Sequence, residues 1–238
     1  MKTIIDIILI AIVALCTWHG YRKGLVGGVA GILAIVIAIF GANLLSTAYS
    51  HEVTPVLRPF VDGFIDSQNT RSEILERMGY GASDLSLEDI LAQDSSLKMD
   101  YAYECMRQVG FYEKHAETLA DKAVKYSTEN GAGMTEAVIS TLGDTITYVG
   151  GLVLFFLLIL IVLIAIANIG NLSFRLPRHE VADAVGGAVT GCLKGCLYCV
   201  LLCWLLGFFG IIIGRETLND TALARFFLSI NFVTKGLL

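Results

Sequence analysis

Apolar residues are concentrated in four stretches that are almost free of charge. These stretches cover residues 4–19, 25–49, 145–171 and 184–214. A helix needs about 20 apolar residues to cross the hydrocarbon of a bilayer, and the last three stretches reach that length. The first stretch is shorter, but it can cross if its end residues reach the headgroups. The pattern therefore predicts an all-α membrane protein with four transmembrane helices.

The composition also indicates a membrane protein. Of the 238 residues, 55% are hydrophobic and 16% are charged, and the mean hydropathy is +0.68. Few soluble domains are so apolar. The first stretch has two other interpretations, a cleaved signal peptide and a lipoprotein signal that ends at Cys16. Because Asp6 interrupts the apolar run and Leu15 stands where a lipoprotein signal needs a small residue, a transmembrane helix is favoured.

One acidic segment interrupts the apolar stretches. Residues 51–144 carry 17 acidic and 8 basic side chains, a net charge of −9, whereas the rest of the chain has a net charge of +4. The predicted layout is transmembrane helices one and two in 1–50, an acidic insert in 51–144, helices three and four in 145–214, and a last helix in 215–238.

Capping signals and apolar spacing predict that the insert and the C-terminal segment are α-helical. In the insert, Ser86 precedes Asp89 by three residues, which resembles a capping box. In the C-terminal segment, Asn219 resembles an N-cap. One face of the helix that follows would hold Leu223, Phe226, Phe227 and Ile230. This amphipathic helix either lies in the membrane interface or packs back on the bundle.

The short links between helices predict the orientation in the membrane. Arg22 and Lys23 lie between helices one and two, and Arg175 and Arg178 lie between helices three and four. Positive residues in short loops mark the cytoplasmic side. Both termini and the insert are therefore predicted to be extracytoplasmic.

Four of the six cysteines follow one another on helix four, and the first three have the C-x3-C-x2-C spacing of an iron–sulfur motif. On a straight helix, Cys192 and Cys203 mark the ends of a row about 16 Å long, so the four thiols cannot converge on one cluster. The favoured interpretation is that they are small, adaptable apolar residues. A disulfide to another helix stays open, and no cofactor or metal is expected.

The same face of helix four is built from small residues. Its members are Ala184, Gly187, Ala188, Gly191, Cys192, Gly195, Cys196, Cys199 and Cys203. Helix two begins with a second set, which is Gly24, Gly27, Gly28 and Gly31. Since small residues let the backbones of membrane helices approach closely, both helices are predicted to touch a neighbour through these starts.

Two glycine motifs carry a resemblance to a known family. The first combines an early Asp6 with Gly20, Lys23 and Gly24. The second has the form D-x3-G-x3-G-x2-[RK]-G and consists of Asp183, Gly187, Gly191, Lys194 and Gly195. Together they resemble the colicin V production protein (CvpA) family of bacterial inner-membrane proteins, over the four-helix core. The departures are Lys23 and Lys194, where arginine is usual in the family, and the long acidic insert.

The resemblance implies a multi-pass protein of the bacterial inner membrane that supports colicin V-like toxin production and export, or cell-envelope maintenance, without enzymatic activity. No common hydrolase or nucleotide-binding motif occurs in the sequence, and no basic cluster suits nucleic acid. The expected partners are the lipid bilayer, unknown membrane or envelope proteins, and a second copy of the chain. Two alternatives stay open. The chain could be a small channel or transporter subunit with Asp6 and Lys194 along its path, or a redox protein that uses the cysteine row.

Three charged residues have individual expectations. Asp6 is a carboxylate inside a spanning segment, so it is either a functional group or reaches water at the outer end. Lys194 is expected to extend its amine to the cytoplasmic headgroups. Asp183 is expected to cap or stabilise the N-terminus of helix four.

Overall fold

The computed structural model describes residues 2–65, 68–79, 87, 90–91, 96–169, 180–208 and 221–230. These residues are nearly all helical, and none of them lies in a β-strand. The helices are α1 (Lys2–Ile65), α2 (Gln68–Arg77), α3 (Leu97–Val109), α4 (Glu113–Asn130), α5 (Met134–Ile169), α6 (Glu180–Leu206) and α7 (Ala222–Ser229). The predicted all-α class is confirmed for this part of the chain.

Among the described residues, three helical segments are long and apolar enough to cross a membrane. They are Thr3–Ser50, Met134–Ala167 and Val181–Leu206. In the most apolar 18-residue stretch of each segment, only 22%, 11% and 39% of the stretch is buried within the chain. Apolar surface of this extent is covered by lipid in a protein of this class, because a helix that is hydrophobic on all sides needs an apolar surrounding. The chain is therefore a membrane protein.

Helix α1 is broken at one residue. Gly24 has φ 78° and ψ 177°, and it separates two helical stretches, residues 2–23 and 25–65. This combination of angles is adopted almost only by glycine, because a Cβ would clash with the backbone. The sequence left a link of five residues between the apolar stretches 4–19 and 25–49. This link was too long, since residues 20–23 are helical and only Gly24 departs from the helix.

The chain divides into two compact units. Unit 1 consists of Met1–Ala48, Gly150–Leu206 and Glu216–Leu238, and unit 2 consists of Tyr49–Val149 and Gly207–Arg215. Helices α1 and α5 each contribute residues to both units. The predicted borders after residues 50, 144 and 214 stay predictions, because compactness groups residues by contact and not by their position relative to a membrane.

Unit 2 has a helical core of its own. Helix α3 packs on α4, and α2 packs on α3. The buried His115 ring lies 4.4 Å from the Phe208 ring, and burial lowers the pKa of His115 to about 4. Cys105 on α3 is fully buried, and burial raises the pKa of its thiol to about 12. The predicted capping box at Ser86 and Asp89 lies outside the described residues.

The C-terminal helix α7 packs on α6 within unit 1. Thr221, in an extended conformation, precedes it, whereas the predicted N-cap Asn219 lies outside the described residues. Ala224 and Phe227 are the buried residues of α7, and Phe226 is 59% exposed. Of the predicted apolar face, Phe227 is buried and Phe226 lies outside the contact within the chain.

Candidate functional site

The candidate site in unit 1 is built on one ridge of α6. Asp183, Thr190 and the small residues that recur every four positions after Asp183 are buried. We call this set the small-residue ridge, and it consists of Asp183, Gly187, Gly191, Gly195, Cys199 and Cys203. Positions four apart lie above one another on a helix, so the ridge is continuous. Cys192 and Cys196 flank it and are half-buried.

The first helical stretch of α1, residues 2–23, lies against the ridge with its backbone in contact. A Cβ placed at Gly195 would lie 2.9 Å from the Val13 Cα. A Cβ at Gly191 would lie 3.1 Å from the Thr17 Cα. Because the partner number on α1 rises as the number on α6 falls, the two helices are antiparallel. No side chain fits between them at these positions.

The second stretch of α1 runs the other way along α6. A Cβ at Gly186 would lie 2.8 Å from the Leu25 side chain, and one at Gly28 would lie 2.7 Å from the Thr190 Cβ. Further along, a Cβ at Gly31 would lie 3.2 Å from the Lys194 Nζ. Here both numbers rise together, so this stretch is parallel to α6. The chain therefore reverses at Gly24 and forms a helical hairpin with both arms on α6.

A carboxylate of the ridge holds the turn of this hairpin. The Leu25 N–H donates a 2.9 Å hydrogen bond to Asp183 Oδ1. Leu25 begins the second arm, so its N–H has no acceptor within its own helix. A Cβ at Gly24 would lie 2.8 Å from the Asp183 Cγ. Asp183 was expected to cap or stabilise the N-terminus of its own helix. Its carboxylate caps the second arm of the hairpin, because the close approach at Gly24 brings the start of that arm to it.

A second carboxylate joins the first arm to α7. The Leu223 N–H donates a 3.3 Å hydrogen bond to Asp6 Oδ1. Leu223 lies in the first turn of α7, where backbone N–H groups lack helical partners and attract negative charge. Asp6 was expected to be a functional group or to reach water. Its carboxylate accepts a hydrogen bond from the first turn of α7, so contact with water alone does not describe it.

A cavity of about 460 Å³ lies among the two arms, α5 and α6. Lys23 and Lys194 both line it. The Lys194 Nζ lies 5.7 Å from the centre of the Tyr198 ring. An aromatic face attracts a cation. The expected extension of the amine to the cytoplasmic headgroups stays a prediction.

The cysteines of α6 serve as packing residues. All six cysteines of the chain lie in the described residues and are free thiols. The Cys199 Sγ lies on the ridge and donates a 3.6 Å hydrogen bond to the Leu9 carbonyl. Among the residues that the structure describes, no three His, Cys, Asp or Glu side chains are grouped so that they could hold a metal ion.

The structure brings most of the sequence motifs together. Gly20 and Gly24 of the first motif contact Gly187 and Gly191 of the second motif at the turn end of the hairpin. The other motif residues, whose positions are given above, are Asp6, Lys23, Asp183, Lys194 and Gly195. Sequence reasoning missed Thr190, whose hydroxyl bonds the Gly186 and Gly187 carbonyls of its own helix at 3.0 Å and faces Gly28. No sequence signal marked it, since a threonine in an apolar helix has no fixed partner. The predicted basic link at Arg175 and Arg178 lies outside the described residues.

Comparison with known proteins gives one match. The family model described as Colicin V production protein matches residues 5–74 and 111–231. These two ranges contain both glycine motifs, so the family resemblance predicted from the sequence is confirmed. No curated protein and no solved structure matches the chain.

The first prediction concerns the hairpin turn. Gly24→Ala should lower the melting temperature of the purified protein in detergent by a margin that reflects about 1–3 kcal/mol, because alanine is strained in this conformation. The added methyl group also displaces the Asp183 carboxylate.

The variant Asp183→Ala should lower the free energy of unfolding by about 1 kcal/mol, the usual cost of losing a helix cap. Gly150→Ala is the matched control, since nothing lies within 4 Å of the added Cβ. Equal melting of Gly24→Ala and Gly150→Ala would contradict the assignment.

The second prediction concerns the ridge. Gly191→Leu should lower the membrane abundance of the protein more than Cys199→Ala does. The leucine needs space that the Gly20 and Thr17 backbones occupy, and overpacking of this kind costs roughly 1–3 kcal/mol. Quantitative immunoblotting of membranes measures the difference. If Cys199→Ala alone fails to accumulate, the cysteine has a chemical role that packing does not explain.

Proposed function

Because the chain belongs to the colicin V production protein family, we propose that it is a non-enzymatic, multi-pass protein of the bacterial inner membrane. Its proposed role is to support the production or secretion of a colicin V-like toxin, or to maintain the cell envelope. It would do so through helix packing and contacts with partner proteins. The family match, which covers most of the chain, carries this proposal.

The use of the carboxylates in unit 1 supports a structural role. Asp183 and Asp6 each accept a hydrogen bond from a backbone N–H at the start of another helix. An acid–base catalyst needs a carboxylate within reach of a substrate proton. These two groups are instead directed at the backbone, where they join helices that are distant in sequence.

We also propose that the chain crosses the membrane four times. The reversal at Gly24 supports two crossings within Thr3–Ser50, one for each arm of the hairpin. The two arms, residues 3–23 and 25–50, are 21 and 26 residues long, and about 20 residues suffice to cross the hydrocarbon. Segments Met134–Ala167 and Val181–Leu206 would supply the other two crossings. Arg22 and Lys23 beside the turn favour a cytoplasmic turn and an extracytoplasmic insert.

A small channel or transporter subunit is the second candidate function. The observation that favours it is the cavity lined by His19, Lys23 and Lys194, because polar groups inside a membrane bundle often mark a solute path. Asp6 was expected to line the same path, but it bonds the start of α7. The channel candidate therefore rests on the cavity residues alone.

The third prediction tests the orientation. Glu129→Cys, on a side chain that is 64% exposed in α4, should react with a membrane-impermeant maleimide added to cells whose inner membrane is intact. Tyr21→Cys, beside the hairpin turn, should react only after the inner membrane is opened. Cys105 is fully buried and burial raises the pKa of its thiol to about 12, so the insert of the wild-type chain should stay unlabelled. The wild-type chain labelled in parallel measures the contribution of the half-buried Cys16, Cys192 and Cys196. The reverse labelling pattern would reverse the orientation.

The fourth prediction separates the two functions. The wild-type chain reconstituted in liposomes should not increase ion flux above that of empty liposomes. In cells that lack the protein, wild type should restore toxin secretion or resistance of the envelope to detergent, and Gly191→Leu should not. Mild-detergent purification from the restored cells should recover the same membrane proteins in repeated experiments.

The controls decide between the scaffold and the channel. Gly150→Leu is matched to Gly191→Leu in size and should restore the phenotype, since no atom lies near its Cβ. Ion flux that depends on the wild-type chain and disappears in Lys194→Gln would support the channel and contradict the scaffold.

A further inference from the structure

The cavity in unit 1 has a lining of two chemical kinds. Its basic side chains are His19, Lys23 and Lys194, and none of the described residues of the lining is acidic. The charged neighbours of His19 are likewise cations, namely Lys23, Lys194 and Arg22. The opposite wall is apolar and includes Leu160. A lining with three basic groups and no carboxylate suits an anion.

Two glycines of the second arm provide space for the lysine side chains. A Cβ at Gly27 would lie 3.1 Å from the Lys23 Cβ and 3.8 Å from its Cδ. A Cβ at Gly31 would lie 3.2 Å from the Lys194 Nζ and 3.4 Å from its Cδ. The two glycines are one helical turn apart, so both lysines lie on the same face of the arm. Both side chains line the cavity, and at Gly31 the neighbouring atom is the Lys194 amine itself.

Aromatic residues place this cavity at the depth of the headgroups. Trp18 is 64% exposed and lines the cavity, and Tyr21 is 51% exposed. Their rings stack with centres 6.4 Å apart near the hairpin turn. Exposed Trp and Tyr residues of membrane helices are enriched at the membrane–water interface. Gly31, beside the Lys194 amine, is seven residues from Gly24, which is about 10 Å along a helix.

We propose that this cavity binds the phosphate of an acidic phospholipid from the leaflet that surrounds the hairpin turn. Lys23 binds the phosphate from the side of the turn, and Lys194 binds it from within the bundle. The acyl chains then follow the apolar wall at Leu160 and Leu163. Basic pockets between transmembrane helices are typical sites for anionic headgroups.

The apolar part of the cavity favours a lipid over a soluble phosphate compound. Two residues of the lining, Leu15 and Ile164, are 68% and 44% exposed on the surface that faces the bilayer. A soluble anion would leave this apolar surface without a partner, whereas the chains of a phospholipid cover it. The site therefore takes an amphiphile with a negative headgroup.

The experiment uses Trp18 as the reporter in the full-length chain. The sequence has two tryptophans, so a Trp204→Phe background leaves Trp18 alone. This protein is reconstituted in phosphatidylcholine vesicles, and brominated phosphatidylglycerol is titrated in. We expect half-maximal quenching at a clearly lower mole fraction than with brominated phosphatidylcholine. Lys23→Gln and Lys194→Gln should each weaken phosphatidylglycerol binding about fivefold, the effect expected of one basic group near a membrane surface.

The controls make the result decisive. Lys125→Gln removes a lysine that is 71% exposed in unit 2 and should change nothing. Lys194→Arg keeps the charge and should keep the affinity, and Lys23→Gln changes an exposed side chain, so a folding defect in Lys194→Gln leaves the test intact. Equal quenching by the two brominated lipids overturns the proposal. Displacement of the brominated lipid by millimolar glycerol phosphate also overturns it, because the ligand is then a soluble phosphate compound.

Discussion

The arrangement of unit 1 depends on one hydrogen bond between residues that are 158 positions apart. The Leu25 N–H donates to the Asp183 carboxylate at 2.9 Å, directly beside the break at Gly24. A helix that begins inside a bundle leaves its first N–H groups without partners, and a carboxylate satisfies such a group and also favours the positive end of the helix. The contact explains why an aspartate, a glycine and a reversal of the chain occur at the same place.

The small-residue ridge extends this contact along the whole of α6. Gly187, Gly191 and Gly195 bring the first arm so close that backbone lies on backbone. In a bilayer, helices gain little from burying apolar side chains against each other, so close van der Waals contact supplies much of the attraction. At the far end, Asp6 repeats the pattern of the turn, because it receives the N–H of Leu223 at the start of α7. Asp183 thus holds the start of the second arm, and Asp6 joins the N-terminal end of the first arm to α7.

The sequence was informative where a physical rule leaves few choices. Apolar stretches of membrane length predicted the helices, and glycines at four-residue spacing on α6 predicted a face of small residues. The direction of the Asp183 carboxylate could not be predicted, because it depends on a helix start 158 positions away. The extent of the turn was also beyond sequence reasoning. A run with Gly20 and Gly24 is compatible with a loop of five residues, but packing against Gly187 keeps residues 20–23 helical.

The long separation between Leu25 and Asp183 has a consequence for biogenesis. The hairpin leaves the ribosome first, and the helix that carries its acceptor is synthesised more than 150 residues later. During that interval the N–H of Leu25 must bond to water or to a lipid headgroup, since an unpaired N–H in hydrocarbon is costly. Arrival of α6 replaces that temporary partner with Asp183. Completion of the membrane bundle therefore waits for the synthesis of α6, and a nascent chain truncated before residue 183 has a hairpin whose turn still lacks its acceptor.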